Sequence, residues 1–229
     1  MAERKIPPNR RSLTGLLSVH PDQPQIPFES SLERDFVLLT EPDPRVATIE
    51  AQPVRIPYSD EKGIGRFYTP DYLVRFHPPE ALGESIRPQL VEIKYTDDLK
   101  AKWEEFESRF RAAHRYAKAR GWAFVIRTER RIRGPELQNR TFLKPYRASE
   151  VPFHDSRVVL DALFEMDKTS AQELVDKLSC DLARKAYLLH VVWHLVASGF
   201  IGVDLRQPLT MSSTLTNLEA PWESQGGEE

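Results

Sequence analysis

Apolar positions in the first 130 residues follow mainly the two-residue period of β-strands. Four segments have this extended pattern, and they are residues 46–60, 66–77, 88–96 and 122–128. Pro53 hinges the first of them into two parts. The last, WAFVIRT, is continuously apolar, which is typical of a strand that is buried on both faces.

Two stretches follow the period of a helix instead. One begins at Ser30, whose spacing to Glu33 is that of a capping box. The other is residues 97–120, whose apolar stripe contains Leu99, Trp103, Phe106, Phe110, Ala113 and Ala117. Gly121 stands where this second helix should end. The order helix, antiparallel strands, helix, strand predicts an α+β fold, in which a mixed sheet is flanked by helices and its last strand is added in parallel.

The remainder of the chain is mainly helical. After a region rich in Arg and Pro that we expect to be a loop, helical segments cover residues 156–166, 169–179 and 181–198. A capping box from Thr169 to Gln172 opens the second of these helices. A strand and a turn follow, so the pattern predicts a small winged-helix-like domain. The predicted division of the chain is a basic extended arm (1–27), an α+β domain (28–155), the winged-helix-like domain (156–212) and a disordered tail (213–229).

Composition narrows the class of protein. No apolar run approaches the roughly 20 residues that span a bilayer, and the first residues lack a signal-peptide pattern, so we expect a cytoplasmic protein without a membrane partner. Cys180 is the single cysteine of the sequence, which excludes an internal disulfide and a multi-cysteine zinc site. The sequence has no glycine-rich phosphate loop, so we do not expect an NTPase.

Charge is divided unevenly along the chain. Residues 100–147 carry 14 basic and five acidic side chains, whereas residues 158–212 carry five basic and seven acidic ones. The basic segment predicts a surface that faces phosphates, although a solvated basic face would have the same composition. Its candidate phosphate contacts are Arg109, Arg115, Arg130, Arg131 and Arg133. The acidic segment favours docking of a protein over docking of DNA.

Candidate chemistry lies where two of the predicted strands begin or end. Glu92 and Lys94 are two residues apart and therefore share one face of a strand. Asp71 follows Pro70 in the preceding predicted strand. If these strands pair, two carboxylates and an ammonium come together, and a hard dication such as Mg²⁺ or Mn²⁺ would relieve the repulsion of the acids. Such a site favours hydrolysis of a phosphodiester.

Each of these residues also has a structural interpretation. Glu92 and Lys94 could be an edge-strand charge pair that faces water, with Asp71 ending a turn. Glu33 could supply a third carboxylate or could serve as the cap of its helix. His190 and His194 have a metal-capable spacing, but their apolar helix favours packing in a core, and Cys180 is expected to be an inert, packed thiol.

The order of motifs resembles a known family. ESSLERDFVLL, EAQPVRIPY, RFYTPDYLV and LVEIK are followed by a basic helix and a helical C-terminal part, and together they resemble TnsA, the restriction-endonuclease-like subunit of heteromeric cut-and-paste transposases, over roughly residues 12–212. The resemblance implies a PD-(D/E)xK nuclease fold, with Glu33, Asp71 and Lys94 as catalytic residues. Glu92 then stands at the third metal-site position, where some members of the family carry Gln.

The resemblance also implies a reaction and its partners. The expected ligands of Mg²⁺, or of Mn²⁺ as its substitute, are Asp71, Glu92, the main-chain carbonyl of Ile93 and, less directly, Glu33. The expected reaction is cleavage at the 5′ ends of transposon DNA in a bacterial cytoplasm or nucleoid. The implied partners are an integrase-like transposase subunit and an AAA+ ATPase regulator. A stand-alone restriction- or repair-type nuclease and a catalytically silent DNA-docking scaffold remain as alternatives.

Overall fold

A computed structural model describes residues 13–18 and 25–218 of the 229-residue chain. The chain divides into two compact units, residues 1–134 and residues 135–229. Within the described residues, none of the helices combines the length and the apolar character that crossing a bilayer requires.

The first unit contains a short strand pair, a hairpin, a four-stranded sheet and five helices among its described residues. Its strands are β1 (Gly15–Leu17), β2 (Ile26–Phe28), β3 (Val46–Ala51), β4 (Ile56–Ser59), β5 (Gly65–Tyr68), β6 (Tyr72–Phe76), β7 (Gln89–Ile93) and β8 (Ala123–Arg127). Its helices are α1 (Ser31–Thr40), α2 (Pro79–Leu82), α3 (Thr96–Ala101), α4 (Trp103–Lys118) and α5 (Glu129–Ile132).

The four-stranded sheet has the order β3-β6-β7-β8. β6 pairs antiparallel with β3 and β7, while β8 pairs parallel with β7. Between these two strands the chain passes through α3 and α4. This crossover returns the chain to the end of the sheet where β7 begins, as a parallel connection requires. The prediction of a mixed α+β sheet flanked by helices, with its last strand added in parallel, is therefore confirmed.

One face of the sheet packs against α4 and the β4–β5 hairpin. Leu73 and Leu90 of the sheet share a buried cluster with Phe106 and Phe110 of α4. The fully buried Ala113 of α4 has a small side chain, which allows the helix to pack closely on the strands. Even-numbered positions of β7 point to this face, and Glu92 is therefore directed towards α4.

The opposite face packs against α1. Leu32 and Phe36 of this helix cluster with Tyr72 and Val91 of the sheet, and the Phe36 and Tyr72 ring centroids are 5.5 Å apart. Ser30 caps α1 as the sequence predicted, since its hydroxyl accepts a hydrogen bond from the Glu33 N–H at 3.1 Å. β6 and β7 therefore lie between two packed hydrophobic layers, one on each face of the sheet.

Three details of the first unit differ from the sequence prediction. The helix expected over residues 97–120 is interrupted at Lys102, whose φ of −128° and ψ of 25° separate α3 from α4. The described part of the expected unstructured arm contains the paired strands β1 and β2, because their backbone groups satisfy one another. The segment expected to be a loop after residue 128 begins instead with the short helix α5.

The second unit contains four helices and a three-stranded antiparallel sheet among its described residues. The helices are α6 (Pro135–Arg147), α7 (Phe153–Met166), α8 (Ala171–Leu178) and α9 (Leu182–Ala197). The strands are β9 (Lys168–Ser170), β10 (Ile201–Gly202) and β11 (Thr214–Asn217), and their order in the sheet is β10-β11-β9. The core of this unit forms around α9, with Val191 and Val192 fully buried.

The second unit begins earlier than the residue 156 expected from the sequence. The Arg- and Pro-rich segment expected to be a loop forms α6, and its Leu143 belongs to the core of this unit. Asn139 of α6 is buried, and its side chain donates to the Leu205 and Gln207 carbonyls and accepts from the Leu209 N–H. A buried amide that is satisfied in this way ties α6 to the loop between β10 and β11.

Two further predictions for this part of the chain are corrected. The capping box of α8 lies one residue later than predicted, between Ser170 and Glu173. The tail expected to be disordered from residue 213 instead contributes β11, the central strand of the sheet, because its fully buried Leu215 completes the core. The rest of the predicted tail, residues 219–229, lies outside the described residues, as do residues 1–12 and 19–24 of the predicted arm.

Candidate active site

Asp71 and Glu92 meet at the junction of β6 and β7. The two strands pair with Tyr72 opposite Val91 and Leu73 opposite Leu90. One step further along this antiparallel register places Asp71 opposite Glu92, and both residues have the parity of the face that packs against α4. The condition set by the sequence, that these two strands pair, is met in the structure.

The ammonium of Lys94 lies among oxygen atoms from both strands. Its Nζ is 2.7 Å from Glu92 Oε1, 3.0 Å from the main-chain carbonyl oxygen of Ile93 and 3.8 Å from Asp71 Oδ2. The Glu92 side chain is 2% exposed, so water cannot neutralise its charge and the ammonium does so instead. The structure thus brings together Asp71, Glu92, Ile93 and Lys94.

Asp71 is held from both of its neighbouring strands. Its Oδ2 accepts a hydrogen bond of 2.6 Å from the Ile93 N–H of β7. Its main-chain carbonyl accepts one of 2.8 Å from the N–H of Gln52, which directly follows β3. The side chain and the main chain of this acid are therefore fixed separately, which restricts where the carboxylate can point.

Tyr68 is a site residue that the sequence reasoning missed. Its hydroxyl donates to Glu92 Oε2 at 2.5 Å, so the two oxygens of Glu92 face different partners, Tyr68 and Lys94. The Tyr68 side chain is 6% exposed, and a buried tyrosine hydroxyl needs a polar partner. The signal in the sequence was the position of this tyrosine three residues before Asp71, at the end of an alternating run.

The proximity of Asp71 and Glu92 affects the pKa values of Asp71, Lys94 and Tyr68. Burial and the neighbouring Glu92 carboxylate raise the pKa of Asp71 from its ordinary value of 3.8 to about 8. Burial opposes the charge of Lys94, but the carboxylates of Asp71 and Glu92 outweigh it and raise the pKa of this ammonium. Burial and Glu92 also raise the pKa of Tyr68, which keeps its hydroxyl protonated as a donor.

The oxygen atoms around Lys94 suit a hard dication. Two carboxylates and one main-chain carbonyl already converge on a cation, and hard oxygen donors are the ligands that Mg²⁺ prefers. Across the described residues, no set of three or more His, Cys, Asp or Glu side chains is arranged to hold a metal. A Mg²⁺ ion usually takes one or two protein carboxylates and completes its shell with water and phosphate oxygens, so this donor set fits.

Glu33 serves as the cap of α1 and also borders the candidate site. Its carboxylate accepts hydrogen bonds of 2.8 Å from the Glu29 N–H and from the Ser30 hydroxyl. The same side chain lines a cavity of about 190 Å³ together with Asp71, Gln52 and Glu29. Both interpretations of Glu33 therefore have a structural basis, and its charge contributes to the raised pKa of Asp71.

Arg109 lies beside the cluster on α4. Its guanidinium carbon is 4.2 Å from the centroid of the Phe106 ring and 5.8 Å from that of Tyr68. Its Nε is buried and has no hydrogen-bond partner among the described residues. The positive charge of Arg109 also acts on Lys94, opposing the rise in the pKa of that ammonium. Arg109 is therefore a partly buried cation whose charge acts on Tyr68 and Lys94 of the cluster.

The other predicted phosphate contacts lie outside this cluster. Arg115 is exposed on α4, and Arg130 and Arg131 are exposed on α5. The Arg133 guanidinium already donates to the buried carboxylate of Asp35 at 2.8 Å, so part of its hydrogen-bonding capacity is used inside the protein. Of the five arginines, Arg109 alone has a described contact with a residue of this cluster, the ring of Tyr68.

The two histidines with metal-capable spacing have packing partners in the second unit. Nδ1 of His194 lies 2.9 Å from the carbonyl oxygen of Tyr146, and the His190 ring centroid is 5.3 Å from that of Tyr146. Cys180 is exposed, so the prediction of a packed thiol is wrong. These contacts agree with the packing interpretation of the histidines and give no reason to assign either residue type to the candidate site.

Comparison with known proteins identifies the central part of the chain. The family model described as TnsA-like endonuclease N terminal matches residues 43–129. This range contains Asp71, Glu92 and Lys94, and it ends before Arg130. No curated protein matches the chain. The family match confirms the resemblance over residues 43–129, which are similar to the N-terminal domain of TnsA-like endonucleases.

Asp71→Asn should change how stability depends on pH in metal-free protein. Because the folded state raises the pKa of Asp71 to about 8, its contribution to stability is full below about pH 4 and is lost as the pH rises towards 8. The neutral amide lacks this loss. In EDTA, the stability of the variant relative to wild type should therefore increase between about pH 5 and pH 8, by at most about 1.4 kcal/mol per pH unit.

Urea unfolding of both proteins across this pH range measures the difference. Glu50→Gln is the matched control, because Glu50 lies on β3 of the same sheet with 52% of its side chain exposed. A stability difference between Asp71→Asn and wild type that stays constant with pH would contradict the raised pKa.

Proposed function

We propose, from the premise that residues 43–129 are a TnsA-like endonuclease domain, that the protein is the metal-dependent DNA endonuclease subunit of a heteromeric cut-and-paste transposase. The observation that carries this proposal is the convergence of Asp71, Glu92 and the Ile93 carbonyl on one cation, the ammonium of Lys94. The proposed reaction is hydrolysis of phosphodiester bonds at the 5′ ends of the transposon.

Each residue of the cluster has a separate task in this proposal. Mg²⁺, or Mn²⁺ in its place, would polarise the scissile phosphate and lower the pKa of water, and it would be held by Asp71, Glu92 and the Ile93 carbonyl. Tyr68 fixes the Glu92 carboxylate by its hydrogen bond, so that one oxygen is directed towards Lys94. Lys94 remains protonated and stabilises the negative charge that develops on the phosphate.

Glu33 and Arg109 complete the proposed site from the two helices. Glu33 borders the cavity next to Asp71 and is a candidate third carboxylate, although its oxygens cap α1 in this structure. Arg109 is a phosphate contact close to the cut, because its charge lies on the same face as Lys94 and has no carboxylate partner among the described residues. Arg115, Arg130, Arg131 and Arg133 are proposed contacts farther along the DNA.

We further propose that the second unit is a winged-helix-like module that docks a protein. Its helices with a three-stranded antiparallel sheet support the fold assignment. Residues 135–218 carry nine basic and ten acidic side chains, and a DNA-recognition surface would need an excess of basic ones. The proposed partners are the integrase-like transposase subunit and the AAA+ ATPase regulator, in a bacterial cytoplasm or nucleoid.

Replacing either Asp71 or Lys94 by Ala should abolish cleavage of the 5′ strand. Loss of Asp71 removes a carboxylate from the dication site, and loss of Lys94 removes the cation that stabilises charge on the phosphate, which by itself costs about 10²–10³-fold in rate. The measurement is a strand-resolved cleavage assay on DNA that contains transposon ends, with and without Mg²⁺ and the partner subunits.

Glu50→Ala, on the exposed part of the same sheet, is the control and should cleave at the wild-type rate. Wild-type cleavage by the Asp71 or Lys94 variant would remove the site assignment. Specific cleavage by the isolated chain would favour a stand-alone nuclease, and no nicking in the complete assembly with Mg²⁺ would favour a silent scaffold.

Arg109→Ala should weaken DNA binding by roughly tenfold, which corresponds to the loss of one charge-assisted phosphate contact. The loss should be similar on all DNA sequences and should lower the slope of log affinity against log salt by about 0.9. Fluorescence anisotropy over a range of salt concentrations, with DNA of two unrelated sequences, measures both quantities.

Arg111→Ala is the matched control on the same helix. The Arg111 side chain is 71% exposed and pairs with Glu107 at 2.7 Å, so its loss should have a smaller effect on the affinity. A loss of affinity in Arg109→Ala that is confined to one DNA sequence would contradict a phosphate contact.

Deletion of residues 135–229 should abolish capture of the partner proteins. The deletion removes the complete second unit at its boundary, which leaves the candidate site in the first unit intact. Pull-down with the cognate AAA+ ATPase and the integrase-like subunit is the measurement, and the isolated segment 135–229 is tested in parallel. Undiminished capture by the shortened chain would count against docking through the second unit.

A further inference from the structure

Gln52 has an unusual backbone conformation next to the candidate site. Its φ is 48°, in the left-handed region that residues other than glycine rarely adopt. Among the described residues, one other non-glycine residue has a positive φ, Asp167 at 61°, and it lies at the end of α7 in the second unit. Pro53 follows Gln52, and a residue before proline is also restricted in its backbone conformation.

The main chain of Gln52 supports Asp71. Ala51 is opposite Tyr72 in the pairing of β3 with β6, and the Gln52 N–H adds one more hydrogen bond beyond this pair, to the Asp71 carbonyl at 2.8 Å. β3 ends at Ala51, so this hydrogen bond lies directly beyond the strand. The backbone of Asp71 is thus anchored from the β3 side, while its carboxylate is anchored from Ile93 on the β7 side.

The side chain of Gln52 contacts Glu29, another acid that lines the cavity. Its Nε2 donates to Glu29 Oε1 at 2.8 Å, and the Glu29 N–H in turn donates to Glu33 Oε2 at 2.8 Å. Gln52, Glu29, Glu33 and Asp71 all line the cavity of about 190 Å³. Gln52 therefore contacts both the acid that belongs to the proposed dication site and the acid that adjoins Glu33.

The positive φ of Gln52 lowers the stability of the folded state, and glycine at this position would avoid that cost. Glycine adopts a positive φ without a steric penalty, so the backbone alone would favour glycine at position 52. A strained residue persists where the surrounding contacts hold it, and such residues concentrate at functional sites. The carboxamide, which glycine lacks, is the group that makes the contact with Glu29.

We propose that Gln52 is a positioning residue of the nuclease site, whose backbone orients Asp71 and whose carboxamide fixes Glu29 on the wall of the same cavity. This inference rests on the proposed function. Gln52 acts through the two acids and not on DNA itself. Its loss should therefore affect dication affinity and the rate of cleavage, and should leave the affinity for DNA unchanged.

Three variants separate the parts of this proposal. Gln52→Gly relieves the strained backbone and removes the carboxamide, whereas Gln52→Met keeps a side chain of similar length but removes the donor to Glu29. Asp167→Gly is the control, because it relieves a positive φ in the second unit without touching the site. All three are made in the full chain.

Binding of Mn²⁺ to the DNA-free protein, followed by electron paramagnetic resonance, is the first measurement. Both Gln52 variants keep the N–H that donates to Asp71 but lose the carboxamide contact with Glu29 that helps to hold the backbone at a φ of 48°. Because the support of Asp71 is then less fixed, both should bind Mn²⁺ about tenfold more weakly than wild type, and Asp167→Gly should bind it equally well. Both Gln52 variants should also lower kcat for cleavage while the Kd for DNA stays the same. The two glycine variants, but not Gln52→Met, should raise the midpoint of thermal unfolding by about 2 °C.

The outcomes distinguish this inference from the proposed function. Wild-type Mn²⁺ affinity in both Gln52 variants, with cleavage still abolished by Asp71→Ala, would overturn the positioning role and leave the nuclease assignment in place. A wild-type protein that takes up no Mn²⁺ and cleaves no DNA would overturn the proposed function and this inference with it.

Discussion

The close approach of two carboxylates on neighbouring strands is the constraint on which this structure depends. Asp71 and Glu92 sit where the antiparallel pairing of β6 and β7 places them opposite one another, and Glu92 is almost completely buried. Carboxylates on opposed positions of neighbouring strands repel one another, and the buried Glu92 has almost no access to water. The surrounding residues compensate: Lys94 supplies a positive charge, Tyr68 donates a hydroxyl, and Ile93 donates a main-chain N–H.

The hydrophobic layers make this arrangement rigid. One layer, against α4, holds the strands from the face that carries Glu92, and the other, against α1, holds them from the opposite face. A site built at the ends of packed strands keeps its geometry better than one built on a loop. Apolar burial in the same unit offsets the free-energy cost of placing the two acids close together. The strained backbone of Gln52 lies beside Asp71, whose main chain it supports.

The two units differ in the kind of surface they offer. The first unit combines the acid cluster with arginines on α4 and α5, an arrangement that agrees with the proposed binding of DNA. The second unit has an ordinary balance of charges and a core organised around α9, which agrees with the proposed docking of a protein. Under the proposed function, catalysis and recruitment would belong to different units of the chain.

The sequence by itself determined the main strands and helices of the first unit and singled out Asp71, Glu92 and Lys94 as residues that could carry chemistry, but it did not show α6, the β1–β2 pair or β11. Local periodicity is enough to place Glu92 and Lys94 on one face of a strand and to cap α1 at Ser30, because both depend on near neighbours in the chain. Tertiary structure decided the partners. Tyr68 reaches Glu92 across 24 positions of the chain, and Leu215 places the expected tail in a core, because burial and hydrogen bonding act between residues whose proximity no local pattern encodes.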